Sequence, residues 1–141
     1  MPQIEPNTVK PENQQEPPHQ PLTIGLVRFA LEIAAIGGLG WWGWTLGDGG
    51  IGGTLLALVI PGIAVSIWGV FAVRDDPARN PNPLVAIPGR LRLIIELSVF
   101  GLAAYGIWTS GSRAAAETLL TGVGIVYVVT WDRQLWLLRQ R

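Results

Sequence analysis

The sequence predicts an all-α integral membrane protein, a four-helix bundle made of two repeated transmembrane helical hairpins. Four apolar stretches each approach the ~20 residues that a spanning helix requires. With 49% hydrophobic and only 14% charged residues among 141, the chain is too apolar for an ordinary soluble domain. A register offset of 64 positions also sets the two halves of the chain in correspondence, charges and turns included.

Taken in order, the first element is a tail. Residues 1–21 hold six of the eleven prolines among Gln, Asn and Glu, with almost nothing apolar to bury. The expectation is a disordered Pro-rich cytoplasmic tail over residues 1–22. It has neither the basic region nor the apolar core of a signal peptide, so the first apolar segment is expected to stay in the mature chain. The transmembrane domain then covers 23–141, with spans at about 23–46, 51–73, 89–109 and 114–138. Gly47-Asp48-Gly49-Gly50, the long Arg74-to-Gly89 connection and Ser110-Gly111-Ser112-Arg113 separate them, all in turn-forming compositions. Short, long and short connections read as two antiparallel hairpins. Ile51 to Val73 carries no charge and no polar face, which excludes a soluble amphipathic bundle.

Arg113 is the one basic residue in the first and third breaks, whereas Lys10, Arg28, Arg74, Arg79, Arg90, Arg92, Arg133, Arg139 and Arg141 lie on the other side. The positive-inside rule therefore puts both termini and the central loop in the cytoplasm. Trp41, Trp42, Trp44 and Trp108 fall near the outer ends, and Trp68, Trp131 and Trp136 near the inner ends, where interfacial anchors are expected.

The 64-residue offset aligns Gly25 with Gly89, Arg28 with Arg92, Glu32 with Glu96, Gly37 with Gly101, Trp44 with Trp108, Thr45 with Thr109 and Gly47 with Gly111. The match continues from Thr54, Leu55, Leu56, Val59 and Val65 to Thr118, Leu119, Leu120, Val123 and Val129. Each unit contains two spans, so both enter the membrane in the same sense. The implied symmetry is a pseudo-two-fold axis along the membrane normal.

Two groups of residues are candidates for function. Arg28 with Glu32, and Arg92 with Glu96, are four apart and share a helix face. The pseudo-symmetry suggests cross-pairing between the copies, and Asp132 and Arg133 are placed to extend the cluster. Intramembrane ionisable residues mark functional sites by default, and pinning helix register is the competing role. The second group is Gly37, Gly40, Trp41, Trp42, Gly43, Trp44 and Trp108, a thin, Trp-rich outer half suited to an apolar groove or an interface. Ala30, Ala34 and Gly38, with Gly62, Ser66 and Gly69, add small faces for close helix packing, expected within the bundle.

Other chemistry is excluded. The chain has no Cys, and its one His, His19, lies in the tail, so neither a metal site nor imidazole-ligated haem is expected. No phosphate-binding loop or nucleophile–base arrangement occurs. Zero net charge without a basic stripe argues against nucleic acid. A carotenoid, quinone or lipid is compatible with the groove.

The segments Leu26-Val27-Arg28-Phe29-Ala30-Leu31-Glu32, Ala34-Ala35, Gly40-Trp41-Trp42-Gly43-Trp44, Trp68-Gly69 and Arg92-Leu93-Ile94-Ile95-Glu96-Leu97 carry a further signal. On them the chain resembles the YrdB-like family of small bacterial four-helix integral membrane proteins of unknown function, over roughly residues 23–138. The resemblance implies a multi-pass protein of the bacterial inner membrane and supplies no reaction or catalytic residue. The Pro-rich tail departs from the family pattern and is a candidate docking segment. The functional expectation is a non-enzymatic accessory or scaffolding subunit in contact with membrane lipids and with other subunits or itself. The alternatives are a small transporter or ion conductor using Glu32 and Glu96, and a protein that binds an apolar cofactor or lipid.

Overall fold

The computed structural model describes residues 21–74, 76 and 83–140, so the expected tail lies almost wholly outside the described residues. The chain forms α1 (Leu22–Leu46), α2 (Gly50–Val70), α3 (Gly89–Thr109), α4 (Arg113–Val129) and α5 (Trp131–Arg139). Two short strands, β1 (Phe71–Ala72) and β2 (Val85–Ala86), pair in parallel within the connection from α2 to α3. Three helices, α1, α2 and α3, are long and apolar enough to cross a membrane, and α4 with α5 qualifies only as a bent pair.

The first hairpin closes through Asp48, Gly49 and Gly50, all at positive φ, a geometry that glycine adopts without steric cost. Asp48 is the non-glycine exception, and a short polar side chain tolerates it. Gly111 serves the second hairpin in the same way at φ +92°.

α1 and α3 form the centre of the bundle, with α2 against α1 and α4 against α3. They run in the same direction: Arg28 near the start of α1 reaches Glu96 in α3, and Thr45 near the end of α1 meets Ser110 beyond the end of α3. The repeat-equivalent positions Ala35 and Val99, and Leu39 and Ala103, share one core cluster. A third equivalent pair meets large against small, because a Cβ on Gly106 would lie 2.7 Å from Trp42 Cβ.

Close approach within the first hairpin depends on Gly43, where a Cβ would lie 2.5 Å from the backbone of Leu56. Gly43→Ala is expected to destabilise the protein by about 1–3 kcal/mol, the usual cost of overpacking. Gly37→Ala meets nothing within 4 Å and is expected to be neutral or to gain a few tenths of a kcal/mol in helix propensity. Thermal unfolding of both variants in the same detergent tests the contrast.

Three expectations need correction. The fourth apolar stretch, expected as one helix over 114–138, breaks at Thr130, and α5 leaves α4 at 73°. Thr130 Oγ1 donates to the Val126 carbonyl at 2.7 Å, a back-bond that bends helices. Trp68 and Trp136, expected as interfacial anchors, are buried, Trp68 meeting Phe100 edge-on at 5.5 Å between ring centroids and Trp136 packing with Val73 and Leu137. The Gly62, Ser66 and Gly69 face points outward, with nothing within 4 Å of a Cβ at either glycine.

Candidate functional site

α1 and α3 each carry an Arg-x-x-x-Glu pair in their first half, and their parallel packing brings the two pairs to one end of the bundle. Glu96 is the hub and is fully buried. Counting about 1.5 Å per residue from Gly89, it sits roughly 10 Å along α3. Arg28 Nη2 donates to Glu96 Oε2 at 2.7 Å, so one of the expected cross-pairs forms. Arg92 Nε donates to Oε1 at 3.3 Å along the same helix. Arg133 of α5 donates to both carboxylate oxygens, at 3.4 and 3.2 Å, and the Tyr127 hydroxyl donates to Oε2 at 3.0 Å.

Arg133 in turn grips Asp76 with two hydrogen bonds, Nε to Oδ1 at 3.1 Å and Nη2 to Oδ2 at 2.6 Å. This fork-to-carboxylate geometry is the strongest form of the charged hydrogen bond. Arg92 Nη1 donates to the carbonyls of Trp68 and Phe71, which the end of α2 leaves without helical partners. Arg28 Nε also donates to Glu32 at 3.4 Å. Among the described residues the cluster thus joins three guanidinium groups, of Arg28, Arg92 and Arg133, to three carboxylates, of Glu32, Asp76 and Glu96. Charge balance is what makes the burial tolerable, since an isolated ion in a low-dielectric interior costs several kcal/mol.

The arrangement differs in membership from the sequence reading. Arg28, Glu32, Arg92, Glu96 and Arg133 come together as a group. Asp132 is exposed on the first turn of α5, away from the cluster. Asp76 and Tyr127 were missed. Asp76 stands in a Pro-rich loop of mixed charge whose sequence gives no sign of its partner, whereas Tyr127 lies six residues before Arg133 with a phenol that requires a partner when buried.

The outer Gly/Trp group divides. Gly37 and Trp41 line an open cleft of about 650 Å³ between α1, the end of α3 and α4, together with Leu31, Ala34, Ile107 and Leu119. Gly40 and Gly43 turn instead towards α2, and Trp42 packs edge-on against Tyr105 at 5.9 Å. Trp44 covers Gly49 and Gly53 at the hairpin turn, and Trp108 is exposed beyond the cleft. A second apolar cavity of about 300 Å³ lies between α1, α2 and α3, bounded by Leu39, Trp42, Ile60 and Ile95. Neither cavity includes a residue of the charge cluster. No group of three or more His, Cys, Asp or Glu residues placed to hold a metal ion occurs among the described residues.

A family model described as protein of unknown function (DUF2568) matches residues 26–128. The chain is also similar to the uncharacterized protein YrdB of Bacillus subtilis (strain 168), with 36% identity over 115 residues, 82% of this chain and 93% of that protein. No solved structure matches.

Proposed function

The chain belongs to the DUF2568 family, and from that premise we propose that this small multi-span membrane protein is a non-catalytic accessory or scaffolding subunit. One observation carries the reading. The ionisable groups at this end of the bundle pair with one another, three guanidinium groups with three carboxylates, and neither of the two apolar cavities reaches them. A conducting carboxylate needs a path along which its proton or ion arrives and leaves. Glu96 is instead enclosed by Arg28, Arg92, Arg133 and Tyr127. The cluster works as a clasp that fixes α1, α3, α5 and the central loop together. The clasp end faces the cytoplasm of a bacterial inner membrane, supported by the exposed Arg74, Arg90 and Arg139 at that end.

Native mass spectrometry of the protein gently extracted from its own membranes tests the assignment. Co-extraction with unrelated chains in a defined assembly is the expected result. Masses only at whole multiples of 15.2 kDa would overturn it. Flux in vesicles that is abolished by Glu96→Gln without loss of assembly would install the conductor in its place.

The cleft favours a second reading, binding of an apolar ligand. Its volume of about 650 Å³ falls within the roughly 300–1,000 Å³ of small-molecule sites, and small residues at Ala34 and Gly37 keep it open. A lipid or chromophore retained through purification and lost in Gly37→Leu supports this reading; retention unchanged in that variant removes it.

A further inference from the structure

We infer that α5 is an interfacial helix whose outward face, Trp131, Leu135 and Leu138, is held by the phospholipids of the leaflet at the clasp end. α5 inverts the usual pattern of a surface helix. In a soluble protein a surface helix turns its apolar stripe inward and its charges outward. α5 does the reverse with its central polar residues: Arg133 and Gln134 are buried, alongside Trp136 and Leu137. Trp131 and Leu138 are exposed, at 57% and 40%, and Leu135 lies half-buried between them on the same helical face. Spacings of four and three residues bring these three side chains onto one stripe, since such positions stack on a helix.

Two observations identify what covers the stripe. It follows directly on the exposed apolar residues Ile125, Val128 and Val129 at the end of α4, a helix apolar enough to enter a membrane when taken together with α5. Depth agrees: Arg133 on the inward side of α5 reaches in to Glu96, while Leu137 and Gln140 touch Gly89 at the first turn of α3, so α5 lies at the end of the bundle, where the spanning helices enter the leaflet. Exposed arginines border the stripe. The Gly89 amide donates to the Gln140 carbonyl at 3.2 Å, and the residues beside these two in the chain, Arg90 and Arg139, are exposed, a chemistry suited to the phosphate groups of the leaflet. With α4 only 17 residues long, about 25 Å, α5 also fills the interfacial depth that a shortened span leaves.

The chain has no cysteine, so single nitroxide labels can be placed on an otherwise native background. Trp131→Cys, Leu135→Cys and Leu138→Cys are labelled in the full chain, reconstituted into vesicles of phosphatidylethanolamine and phosphatidylglycerol. Power saturation then compares contact with oxygen and with a water-soluble nickel chelate. All three labels are expected to favour oxygen, as Ile125→Cys on α4 should, whereas Asp132→Cys at the stripe's border should favour nickel several-fold more than they do. Nickel contact at the three stripe positions equal to that at Asp132→Cys would overturn the inference, because the face would then look into water. Exclusion of both reagents would overturn it equally, because a second copy or another protein would then be the cover. These side chains point away from the core, so the variants should fold. Elution at the native volume in detergent verifies this before labelling.

Discussion

Replacing Glu96 by Leu is expected to destabilise the bundle by about 3–5 kcal/mol, the cost of stranding buried charge when one partner of an ion pair is removed. Here the stranded charges belong to three guanidinium groups, two of which, Arg92 and Arg133, are essentially without solvent exposure. Arg133 keeps Asp76, and Arg92 keeps the carbonyls of Trp68 and Phe71, but Arg28 loses its shortest ionic contact. Glu96→Gln preserves the shape and removes the charge, so it should fall most of the way towards the Leu variant. The control is Glu117→Gln, which breaks the 2.7 Å pair with Arg113 on the open surface of α4. Exposed pairs of that kind contribute about 0–1 kcal/mol, so no measurable change is expected. Thermal unfolding in one detergent ranks the three variants. Equal midpoints for Glu96→Leu and Glu117→Gln would show that the cluster does not hold the fold.

The parts of this architecture that repeat were legible in the sequence, and the parts that do not repeat were hidden. Arg28 and Glu32 recur at Arg92 and Glu96, so a periodic signal announced both the paired helices and their shared polar end. Hydropathy alone placed α1, α2 and α3 within a few residues of their observed limits. The break at Thr130 had no such marker. Neither Pro nor Gly stands there, and the run Val128, Val129, Thr130, Trp131, Asp132, though made of weak helix formers, lies inside an apolar stretch long enough for one span. The Thr130 back-bond eases the bend, and tertiary contacts fix it, because Arg133 must leave the line of α4 to reach Glu96 and Asp76, 37 and 57 residues away in the chain. Asp76 was hidden for the same reason. Its loop is charged and Pro-rich, a composition that normally marks solvent-exposed connections. The departures of the second unit from the first are therefore concentrated where α5 docks: the bend, Asp76 and Tyr127 have no counterparts in the first hairpin.

That asymmetry makes Gly25 and Gly89, identical residues at equivalent positions of the repeat, respond in opposite ways to one added methyl group. Both lie in the first turn of their helices, Gly25 in α1 and Gly89 in α3. A Cβ at Gly25 meets nothing within 4 Å, so Gly25→Ala should be neutral or slightly stabilising through helix propensity. A Cβ at Gly89 would run into the backbone carbonyl of Leu137, a fully buried residue of α5. Backbone cannot yield as a flexible side chain can. Gly89→Ala must therefore push α5 away, weakening the packing of Leu137 and Trp136 on Val73 and the grip of Arg133 on Glu96. Overpacking alone costs about 1–3 kcal/mol, and disturbance of a buried ionic network adds to it. The expected result is a large drop in the thermal midpoint for Gly89→Ala beside an unchanged one for Gly25→Ala. In the Gly89 variant, proteolysis should begin within residues 130–140, because α5 is the element displaced. Equal tolerance at both sites would mean that α5 is not seated on the first turn of α3, and the clasp would lose the contact that closes it.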